Sequence, residues 1–215
     1  MVSIQELDIT ENIRENEADA LRTLVRQVCC EGVWMADVGC WKGFSSALIG
    51  TEIKEFHGNV IAVDNWQGNE GTWNYDIAHT KDISIIFKRN MQALGLEETV
   101  HALNLSSQGA VDVLLNDFFS LVFLDADHRY SHIKEDIVGW LRKLKVGGIL
   151  CGHDCEGYYN LYEPEERKTI DSHLEEDCFE HRHSGVIKAV HEQFQDNFSI
   201  VPGTRIWYHI KQGDK

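Results

Sequence analysis

Residues 33–46 contain the feature that most constrains this chain, a short apolar run followed by a glycine turn and a second apolar stretch. The first run climbs to Asp37, and the turn that follows carries Gly39 and Gly43. Glycine adopts positive φ at no steric cost, and without a Cβ it lets another group approach the backbone. The pattern predicts a strand, a tight turn and the start of a helix. Such a helix presents unpaired N–H groups and the positive end of its dipole to a ligand.

The spacing of this turn argues against a dinucleotide site. Here Gly-x-x-x-Gly follows an acidic residue, whereas loops that hold a pyrophosphate have Gly-x-Gly-x-x-Gly. A pyrophosphate requires the third glycine and no adjacent carboxylate. Asp37, two positions before Gly39, suits a ligand with a cationic, amino-acid-like end. An ordinary strand-to-helix turn without a ligand stays open as the alternative.

Size and charge limit the organisation and the partners of the chain. Its 215 residues predict a single domain over 1–215. A net charge of −15 makes nucleic acid and anionic membranes poor partners, because phosphate binding needs clustered Lys and Arg. No apolar run approaches the roughly 20 residues of a membrane span, and the N-terminus does not read as a signal peptide. Six cysteines without a Cys-x-x-Cys pair predict free thiols and a cytoplasmic location.

Hydrophobic periodicity predicts strands that alternate with helices up to a closing pair of strands. The strands are predicted at 33–38, 59–64, 99–103, 120–125, 148–152, 197–201 and 204–210. The helices are predicted at 11–31, 44–55, 81–94, 109–116, 131–144 and 185–195. Pro202-Gly203 forms the tight turn of the last pair, which is antiparallel. The predicted fold is α/β, a doubly wound Rossmann-like sheet of seven mostly parallel strands with helices on both faces and a C-terminal antiparallel β-hairpin.

Polar residues stand at the predicted carboxyl ends of the strands, where ligands bind in sheets of this kind. These residues are Asp37, Asp64, Ser107, Asp125 and Asp154. Their convergence at one edge of the sheet is more specific than any single motif.

Two irregular segments, 65–80 and 155–184, are candidates for lids or binding loops. The first is rich in Trp, Asn and Gly and lacks helical periodicity, whereas the second is rich in His and Glu. Their aromatic residues predict apolar walls for an acceptor such as a phenol or a sugar, and these are Trp66, Trp73, Tyr75, Tyr158, Tyr159 and Tyr162. Tryptophans that merely cap the core stay open as the alternative. The predicted solvated surface histidines are His173, His181 and His183, with a second metal site or a substrate lid as the alternative.

Over about residues 15–210 the chain resembles the class I S-adenosylmethionine-dependent methyltransferases. Asp37-Val-Gly39-Cys-Trp-Lys-Gly43 is similar to the first motif of that class, and Asp64 to the acidic residue that ends its second strand. Three further segments resemble a branch of metal-dependent O-methyltransferases, which includes catechol O-methyltransferase and the macrolide and cephamycin tailoring enzymes. These segments are Asp64-Asn-Trp66-Gln-Gly68, Asp125-Ala-Asp-His128 and Gly147-Gly-Ile-Leu-Cys-Gly-His153-Asp154.

The resemblance implies a set of cofactor-binding residues. The methionine end would lie on the glycine turn, the ribose hydroxyls on Asp64, and the adenine among the residues that follow the second and third strands. A carboxylate suits a diol because both of its oxygens accept hydrogen bonds. The implied residues are Asp37, Gly39, Trp41, Gly43, Ser45, Asp64, Asn65, Trp66, Ser107 and Gln108.

The resemblance also implies a divalent cation bound by Asp125, His153 and Asp154. The histidine departs from the branch, whose members usually carry an oxygen ligand at this position. Oxygen ligands favour Mg²⁺, whereas an imidazole shifts the preference towards Mn²⁺, Fe²⁺ or Zn²⁺. Two alternatives stay open: His153 binds a softer metal, or only the two carboxylates bind the cation, with Mg²⁺ or Mn²⁺ expected.

The predicted catalytic residues are Asp125 and His128. A cation held by Asp125 and Asp154 would bind the acceptor hydroxyl and lower its pKa. His128 takes the position of the catalytic lysine of the catechol enzymes, and an ordinary imidazole pKa near 6.5 suits a general base. The plainer alternatives are a helix cap for Asp125 and a packed loop histidine for His128.

The predicted activity is therefore metal-assisted O-methylation of a small hydroxylated acceptor. Metal-free methylation of N or O stays open, as does a non-catalytic binding protein that keeps the fold. The sequence identifies neither the acceptor nor the oligomeric state, and a homodimer stays open.

Overall fold

One sheet organises the part of the chain that the computed structural model describes, residues 7–9 and 13–213. Its seven strands are β1 (Trp34–Val38), β2 (Asn59–Asp64), β3 (Val100–Asn104), β4 (Phe119–Leu124), β5 (Leu144–Gly152), β6 (Ser199–Ile200) and β7 (Trp207–Ile210). They lie in the order β3-β2-β1-β4-β5-β7-β6. Strands β1 to β5 are parallel, and β7 is antiparallel to β5 and β6. The predicted α/β sheet with its closing hairpin is confirmed.

Helices cover both faces of this sheet. They are α1 (Glu15–Val28), α2 (Phe44–Ile53), α3 (Trp73–Ala78), α4 (Ile83–Ala93), α5 (Ser107–Val113), α6 (Tyr130–Leu141), α7 (Pro164–Ser172) and α8 (Ser184–Phe194). Side chains of α1, α2 and α4 fill a first core on one face, and those of α5, α6 and α8 fill a second core on the other. Two separate cores are the result expected of a doubly wound sheet.

Strand β4 shows why a central strand is apolar throughout. Successive side chains of a strand point to opposite faces of the sheet. Leu121 and Phe123 accordingly lie in the first core, and Val122 and Leu124 in the second. Because β4 lies inside the sheet, between β1 and β5, and helices cover both sides of the sheet, both of its faces are buried, as its sequence predicts.

The observed strand ends differ from the predicted ones where a turn or bulge intervenes. The sequence predicts that β5 begins at 148, but its pairing with β4 already starts at Leu144 and continues across a register shift. Gly147, with φ of 81°, therefore lies within the strand rather than before it. The closing strands are shorter than predicted because residues 201–206 form their turn, in which the Val201 N–H donates to the Ile206 carbonyl (2.8 Å).

The two irregular segments contain helices that periodicity does not reveal. Helix α3 lies in segment 65–80, for which no helix is predicted, and its six residues are too few to display a 3.6-residue period. Helix α7 lies in segment 155–184, where Glu163 and Glu166 form a reciprocal capping box. The predicted first helix, 11–31, is observed as α1, and positions 11 and 12 lie outside the described residues.

Six free thiols are present, as the sequence predicts, and three of them are buried, on Cys40, Cys151 and Cys155. Among residues 7–9 and 13–213, none of the helices has the length and the hydropathy needed to cross a bilayer.

Candidate active site

The carboxyl ends of the central strands border one cavity of about 560 Å³. Its wall includes Gly39 after β1, Asp64 at the end of β2, and Asp125 directly after β4. Ser107 and Asp154 also line it, so the five polar positions predicted to converge do so with one exception, Asp37. The volume lies within the range of roughly 300–1,000 Å³ that is usual for small-molecule sites.

The turn between β1 and α2 needs glycine for two reasons. Gly39 and Gly43 have φ of 86° and 96°, a region that other residues adopt at a cost. A Cβ on Gly39 would lie 2.3 Å from the carbonyl oxygen of Asp125, and one on Gly43 would lie 2.6 Å from Cε of Met91. The turn thus packs against the residues after β4 and against α4. Ser45, in the first turn of α2, lines the cavity, which brings the helix N-terminus to the ligand side.

Asp37 lies behind the cavity wall. Its side chain is fully buried, and its Oδ2 accepts hydrogen bonds from the hydroxyls of Ser45 (2.8 Å) and Ser46. Its Oδ1 has no hydrogen-bond partner among the described residues. Burial raises the pKa of Asp37 to about 7, although the two hydroxyls lower it in part. These contacts fix the start of α2 on β1, and direct contact with the cofactor stays a prediction.

Asp64 lines the cavity, and backbone groups hold both of its carboxylate oxygens. Its Oδ2 accepts from the Trp41 N–H (2.8 Å), and its Oδ1 accepts from the Trp66 N–H (2.7 Å). Burial raises the pKa of Asp64, while these N–H groups lower it in part. Each oxygen has a second lone pair, so the carboxylate can accept from both hydroxyls of a diol.

The neighbouring aromatic residues divide between cavity and core. Trp41 and Asn65, for which cofactor binding stays a prediction, line the cavity. Trp66 instead packs on Phe87 in the first core, with ring centroids 5.6 Å apart. Its Nε1 donates to the carbonyl of Trp41 (2.8 Å), which joins the turns after β1 and β2. The ring of Trp66 therefore supports the cavity from behind.

Helix α5 brings Ser107 and Gln108 to the cavity wall, where both residues donate to the same oxygen of Asp136 on α6. The two distances to Oδ1 of Asp136 are 2.5 Å from the Ser107 hydroxyl and 2.9 Å from the Gln108 amide. Ser107 also accepts from Trp140 Nε1 (2.8 Å). Burial raises the pKa of Asp136 to about 6 despite these hydrogen bonds.

Asp125, His128, His153 and Asp154 form a compact cluster, which we call the inner cluster. Nε2 of His128 lies 3.2 Å from Oδ2 of Asp154 and 3.5 Å from Oδ1 of Asp125. Nδ1 of His153 lies 3.2 Å and 3.8 Å from the same two oxygens. Asp154 adopts φ of 60°, an uncommon value for a non-glycine residue that turns its carboxylate into the cluster.

Charged groups from distant parts of the chain surround the inner cluster. Glu17 of α1 is fully buried, and its Oε2 lies 3.0 Å from Nε2 of His153. Arg205, in the turn between β6 and β7, binds Glu17 Oε1 through Nε (2.9 Å) and Asp154 Oδ1 through Nη1 (2.5 Å). Asp177, from segment 155–184, lies 3.0 Å from Nδ1 of His128.

The electrostatics of the inner cluster favour charged imidazoles. Burial alone would lower the pKa of His128, but hydrogen bonds with Asp125 and Asp177 and the charge of Asp154 raise it well above its usual range. Burial likewise opposes the charge on His153, yet its hydrogen bonds with Asp154 and Glu17 raise its pKa to about 10. The pKa of Asp154 is held well below its usual range, chiefly by His153 against the effect of burial.

Sequence reasoning missed several residues that shape the site. Strand-end patterns point only to residues close to a strand, whereas these lie on α1, on α6, in segment 155–184 and in the closing turn. The missed residues are Glu17, Asp136, Asp177 and Arg205. The capping-box spacing before α1 was the one local signal at Glu17, where the Arg14 N–H donates to its carboxylate (2.9 Å).

His183 was predicted to be a solvated surface residue, and that prediction is wrong. Its side chain is 12% exposed, and its Nδ1 binds Glu156 Oε1 at 2.7 Å. The same atom lies 3.4 Å from Asp154 Oδ1, so His183 borders the inner cluster.

The two irregular segments contribute unequally to the cavity. Segment 65–80 supplies a large part of the wall, including Asn69, Thr72 and Trp73. From segment 155–184 only Asp177 lines the cavity within the described residues. The tyrosines of that segment point elsewhere: Tyr158 packs on Phe198 in the second core, and the Tyr159 hydroxyl donates to Asp171. They form no part of the predicted aromatic wall, in which Trp73 remains.

The cavity fits S-adenosylmethionine, which joins an amino acid, a ribose diol and adenine. Asp64 offers free lone pairs to a diol, and the N-terminus of α2 lies beside the glycine turn. The indole Nε1 of Trp41, on the cavity wall, is buried without a hydrogen-bond partner among the described residues. Buried donors are normally satisfied, so this group fits a ligand acceptor.

Two groups that share Asp154, formed by the inner cluster and His183, could each hold a divalent cation. Ligand atoms of Asp125, His153 and Asp154 all lie within 4.8 Å of one another, and so do those of His128, Asp154 and His183. Carboxylate oxygens and neutral imidazole nitrogens are the donors that divalent metals use in proteins.

The strand order, together with the polar groups at the ends of β1 and β2, is typical of the class I S-adenosylmethionine-dependent methyltransferases. The protein is an enzyme of this class. Residues 36–155, more than half of the chain, match the sequence profile of a family described as "Methyltransferase domain". The chain therefore belongs to this methyltransferase family.

Solved structures of O-methyltransferases share the fold at low sequence identity. An O-methyltransferase from Bacillus cereus in complex with SAH is 16% identical with a TM-score of 0.62, covering 94% of this chain and 84% of that one. TomG from Streptomyces achromogenes, an O-methyltransferase of tomaymycin synthesis in complex with SAM, is 12% identical with a TM-score of 0.62, covering 94% and 82%. A SAM-dependent O-methyltransferase from Thermotoga maritima is 13% identical with a TM-score of 0.62, covering 99% and 71%. Curated protein sequences yield no significant match.

Proposed function

We propose that the protein transfers the methyl group of S-adenosylmethionine to a hydroxyl oxygen of a small acceptor in the cytoplasm, with the help of a divalent cation. The observation that carries this proposal is a single cavity whose wall includes both Asp64 and the inner-cluster residues Asp125, His128 and Asp154. Methyl transfer needs the acceptor oxygen in line with the S–CH₃ bond, about 3 Å from the carbon. A cavity shared by cofactor groups and a cation cluster meets that need, and the names of the similar structures support oxygen as the acceptor atom.

The cofactor roles follow the groups that reach the cavity. We assign the ribose hydroxyls to Asp64, the methionine end to the glycine turn and the N-terminus of α2, and the adenine to Asn65, Ser107 and Gln108. Asp37 and Trp66 act indirectly in this proposal: the first fixes α2, and the second joins the turns after β1 and β2. Trp41 supplies the unpaired indole N–H.

The acceptor is proposed to lie between the inner cluster and segment 65–80. A divalent cation held by Asp125 and Asp154 supplies a Lewis acid that lowers the pKa of a hydroxyl. The ring of Trp73, 47% exposed, stands edge-on to Trp41 with centroids 6.1 Å apart. An exposed indole face beside a polar cluster suits a hydroxylated ring, either a phenol or a sugar.

His128 is the proposed general base, on a condition that concerns its protonation. A base must hold a free lone pair near the acceptor. The carboxylates around His128 raise its pKa well above the usual range against the effect of burial, which favours the ring with both protons. A ring with both protons has no lone pair to accept another. His128 can therefore act as the base only after one of its ring protons has been displaced.

The first experiment is calorimetric titration of S-adenosylmethionine into the full chain, without added metal and then with MgCl₂ or MnCl₂. We expect one cofactor site that Asp64→Asn weakens by about 10–100-fold, because hydrogen bonds to a charged group contribute about 1.5–3 kcal/mol. Asp117→Asn is the matched control, since Asp117 is an exposed carboxylate paired with Lys211 (2.7 Å). A protein that binds no cofactor would contradict the proposal.

The second experiment follows transfer of a labelled methyl group to a panel of phenols and sugars. We expect His128→Ala to keep cofactor binding and to lower turnover on the order of 10²–10⁴-fold. Turnover close to the wild-type value would remove His128 from the reaction. Transfer that is indifferent to chelators would favour the metal-free enzyme.

A further inference from the structure

Both histidines of the inner cluster are held in the same way. One ring nitrogen of each histidine contacts a carboxylate outside the cluster, which we call the outer carboxylate. The other ring nitrogen faces the inner pair, Asp125 and Asp154. His128 binds Asp177 through Nδ1 (3.0 Å), and His153 binds Glu17 through Nε2 (3.0 Å). Both rings are largely buried, with side chains 19% and 2% exposed. Metal-binding histidines in proteins are oriented in this manner by outer carboxylates.

The outer carboxylates determine which nitrogens remain as donors to a cation. An ionised carboxylate only accepts hydrogen bonds, so Nδ1 of His128 and Nε2 of His153 carry protons. Arg205 Nη2 lies 3.3 Å from Nε2 of His153, but it donates to Glu17 Oε2, also at 3.3 Å. When a cation displaces the proton on the inner side of each ring, the outer carboxylate keeps the other proton, and the lone pairs of His128 Nε2 and His153 Nδ1 are the ones left to bind it.

Three of the four distances between these nitrogens and the inner oxygens are close to those between the ligands of one ion, and the fourth, from His153 Nδ1 to Asp125 Oδ1, is longer. The four values are 3.2, 3.5, 3.2 and 3.8 Å. Ligands bound at about 2.0–2.2 Å lie roughly 3.0 Å apart as octahedral neighbours and roughly 3.4 Å apart in a tetrahedron. A hydrogen-bonded network alone does not require that two imidazoles converge on the same two oxygens.

We propose that the cation site has four protein ligands: Asp125 Oδ1, His128 Nε2, His153 Nδ1 and Asp154 Oδ2. The inference rests on the proposed function and specifies its metal as a first-row divalent transition metal rather than Mg²⁺. Two imidazoles and two carboxylates suit Mn²⁺, Fe²⁺, Co²⁺ or Zn²⁺, whereas Mg²⁺ prefers oxygen ligands and keeps several waters. The lone pair of His128 then belongs to the metal, and His128 is a ligand instead of the base.

The test is metal titration of the full chain with S-adenosylmethionine present, using MnCl₂, CoCl₂, ZnCl₂ and MgCl₂ separately. Calorimetry gives the affinities, and the visible absorption of bound Co²⁺ reports nitrogen ligands without any turnover. His128→Asn and His153→Asn replace a nitrogen donor by an amide oxygen. We expect each to weaken Mn²⁺, Co²⁺ and Zn²⁺ on the order of 10-fold or more and to leave Mg²⁺ unchanged.

Asp177→Asn tests the outer carboxylate, and we expect about 10–100-fold weaker Co²⁺ binding. Because Asp177 is one-third exposed, we expect this variant to fold even if a change at the buried His153 prevents folding. His57→Asn is the control, since His57 is exposed and pairs with Glu31 far from the site (2.8 Å). Its affinities and Co²⁺ spectrum should equal those of the wild type.

Failure of the inference is separable from failure of the proposed function. If Asp125→Asn abolishes metal binding while both histidine variants keep the wild-type affinities and spectrum, the four-ligand site is overturned and cation-assisted transfer stands. If no cation binds and the labelled methyl group is still transferred, both the proposed cation and its four-ligand site are overturned. The proposals of cofactor binding and of methyl transfer would still stand in that case.

Discussion

The carboxyl group of Asp37 is fully buried at the end of β1, and burial raises its pKa to about 7. In the unfolded chain an aspartate ionises with a pKa of about 3.9. Between these values the unfolded state has lost the proton that the folded state keeps, so stability falls as pH rises from about 4 to about 7. The uncharged amide of an Asp37→Asn variant has no ionised form to bury. We therefore expect this variant to lack the decline and to exceed the wild type on the order of 4 kcal/mol above pH 7.

Urea unfolding of both proteins at a series of pH values, without cofactor, measures this difference. Contributions from other titrating groups cancel between the two curves. Asp117→Asn controls for loss of an exposed carboxylate and should shift stability little at any pH. Parallel curves for Asp37→Asn and the wild type would show that Asp37 is ionised in the fold despite its burial.

Residues at strand ends were predictable, while their partners were not. Asp64 and Asp125 follow apolar runs, and this local pattern places both on the cavity. Asp136 and Asp177 carry no such pattern, because a mid-helix acid and a loop acid are usually solvated. Only the packing of α5 on α6, and of segment 155–184 on the inner cluster, turns them inward. A sequence pattern encodes what neighbours in the chain do, whereas a buried charge is explained by groups distant in sequence.

At the scale of elements, the β1–α2 turn depends on Gly39 both for φ and for contact. We expect Gly39→Ala to destabilise the protein by several kcal/mol and to weaken cofactor binding, because the new Cβ meets the Asp125 carbonyl at 2.3 Å. Gly32→Ala is the matched control: Gly32 has φ of 65°, and a Cβ there meets nothing within 4 Å among the described residues. Its cost is the conformational one alone, about 1 kcal/mol.

Chemical unfolding gives the two costs, and titration with S-adenosylmethionine gives the two affinities. The difference between the variants isolates the contact of the turn with the backbone after β4. Equal costs would mean that the turn moves away from β4 without penalty, so that glycine is needed there for φ only.

Element types were predictable where burial imposes a long or continuous pattern. Strand β4 is apolar because two cores enclose it, and α4 has a helical period that ends at Gly95. Helix α3 is too short to show a period, and the start of β5 was concealed by Gly147, which punctuates the sequence although the pairing with β4 continues. The start of a strand was thus missed where a residue typical of turns lies within a strand that is still paired in the sheet.

At the scale of the whole molecule, one ion-pair network joins the two ends of the chain beside the site. Glu17 on α1 and Arg205 in the closing turn meet at 2.9 Å, and Arg205 continues to Asp154 at 2.5 Å. Asn16 Nδ2 also donates to the Gly203 carbonyl in the same turn (2.7 Å). Because Glu17 has no exposed surface, loss of its partner would leave a buried charge with less compensation.

Removing either charge should therefore destabilise the whole fold. We expect Arg205→Met to cost about 3–5 kcal/mol, since it leaves the fully buried Glu17 carboxylate without its guanidinium partner. Glu17→Met should cost less, since Arg205 keeps its ion pair with Asp154 and is partly exposed. The double variant should cost clearly less than the sum, because it leaves neither charge facing the space of a missing partner. Urea unfolding of the four proteins measures the coupling, and the exposed Lys168–Glu165 pair is the control, with about 0–1 kcal/mol expected. Additive costs at Glu17 and Arg205 would contradict this account, since the chain ends would then be anchored independently of each other.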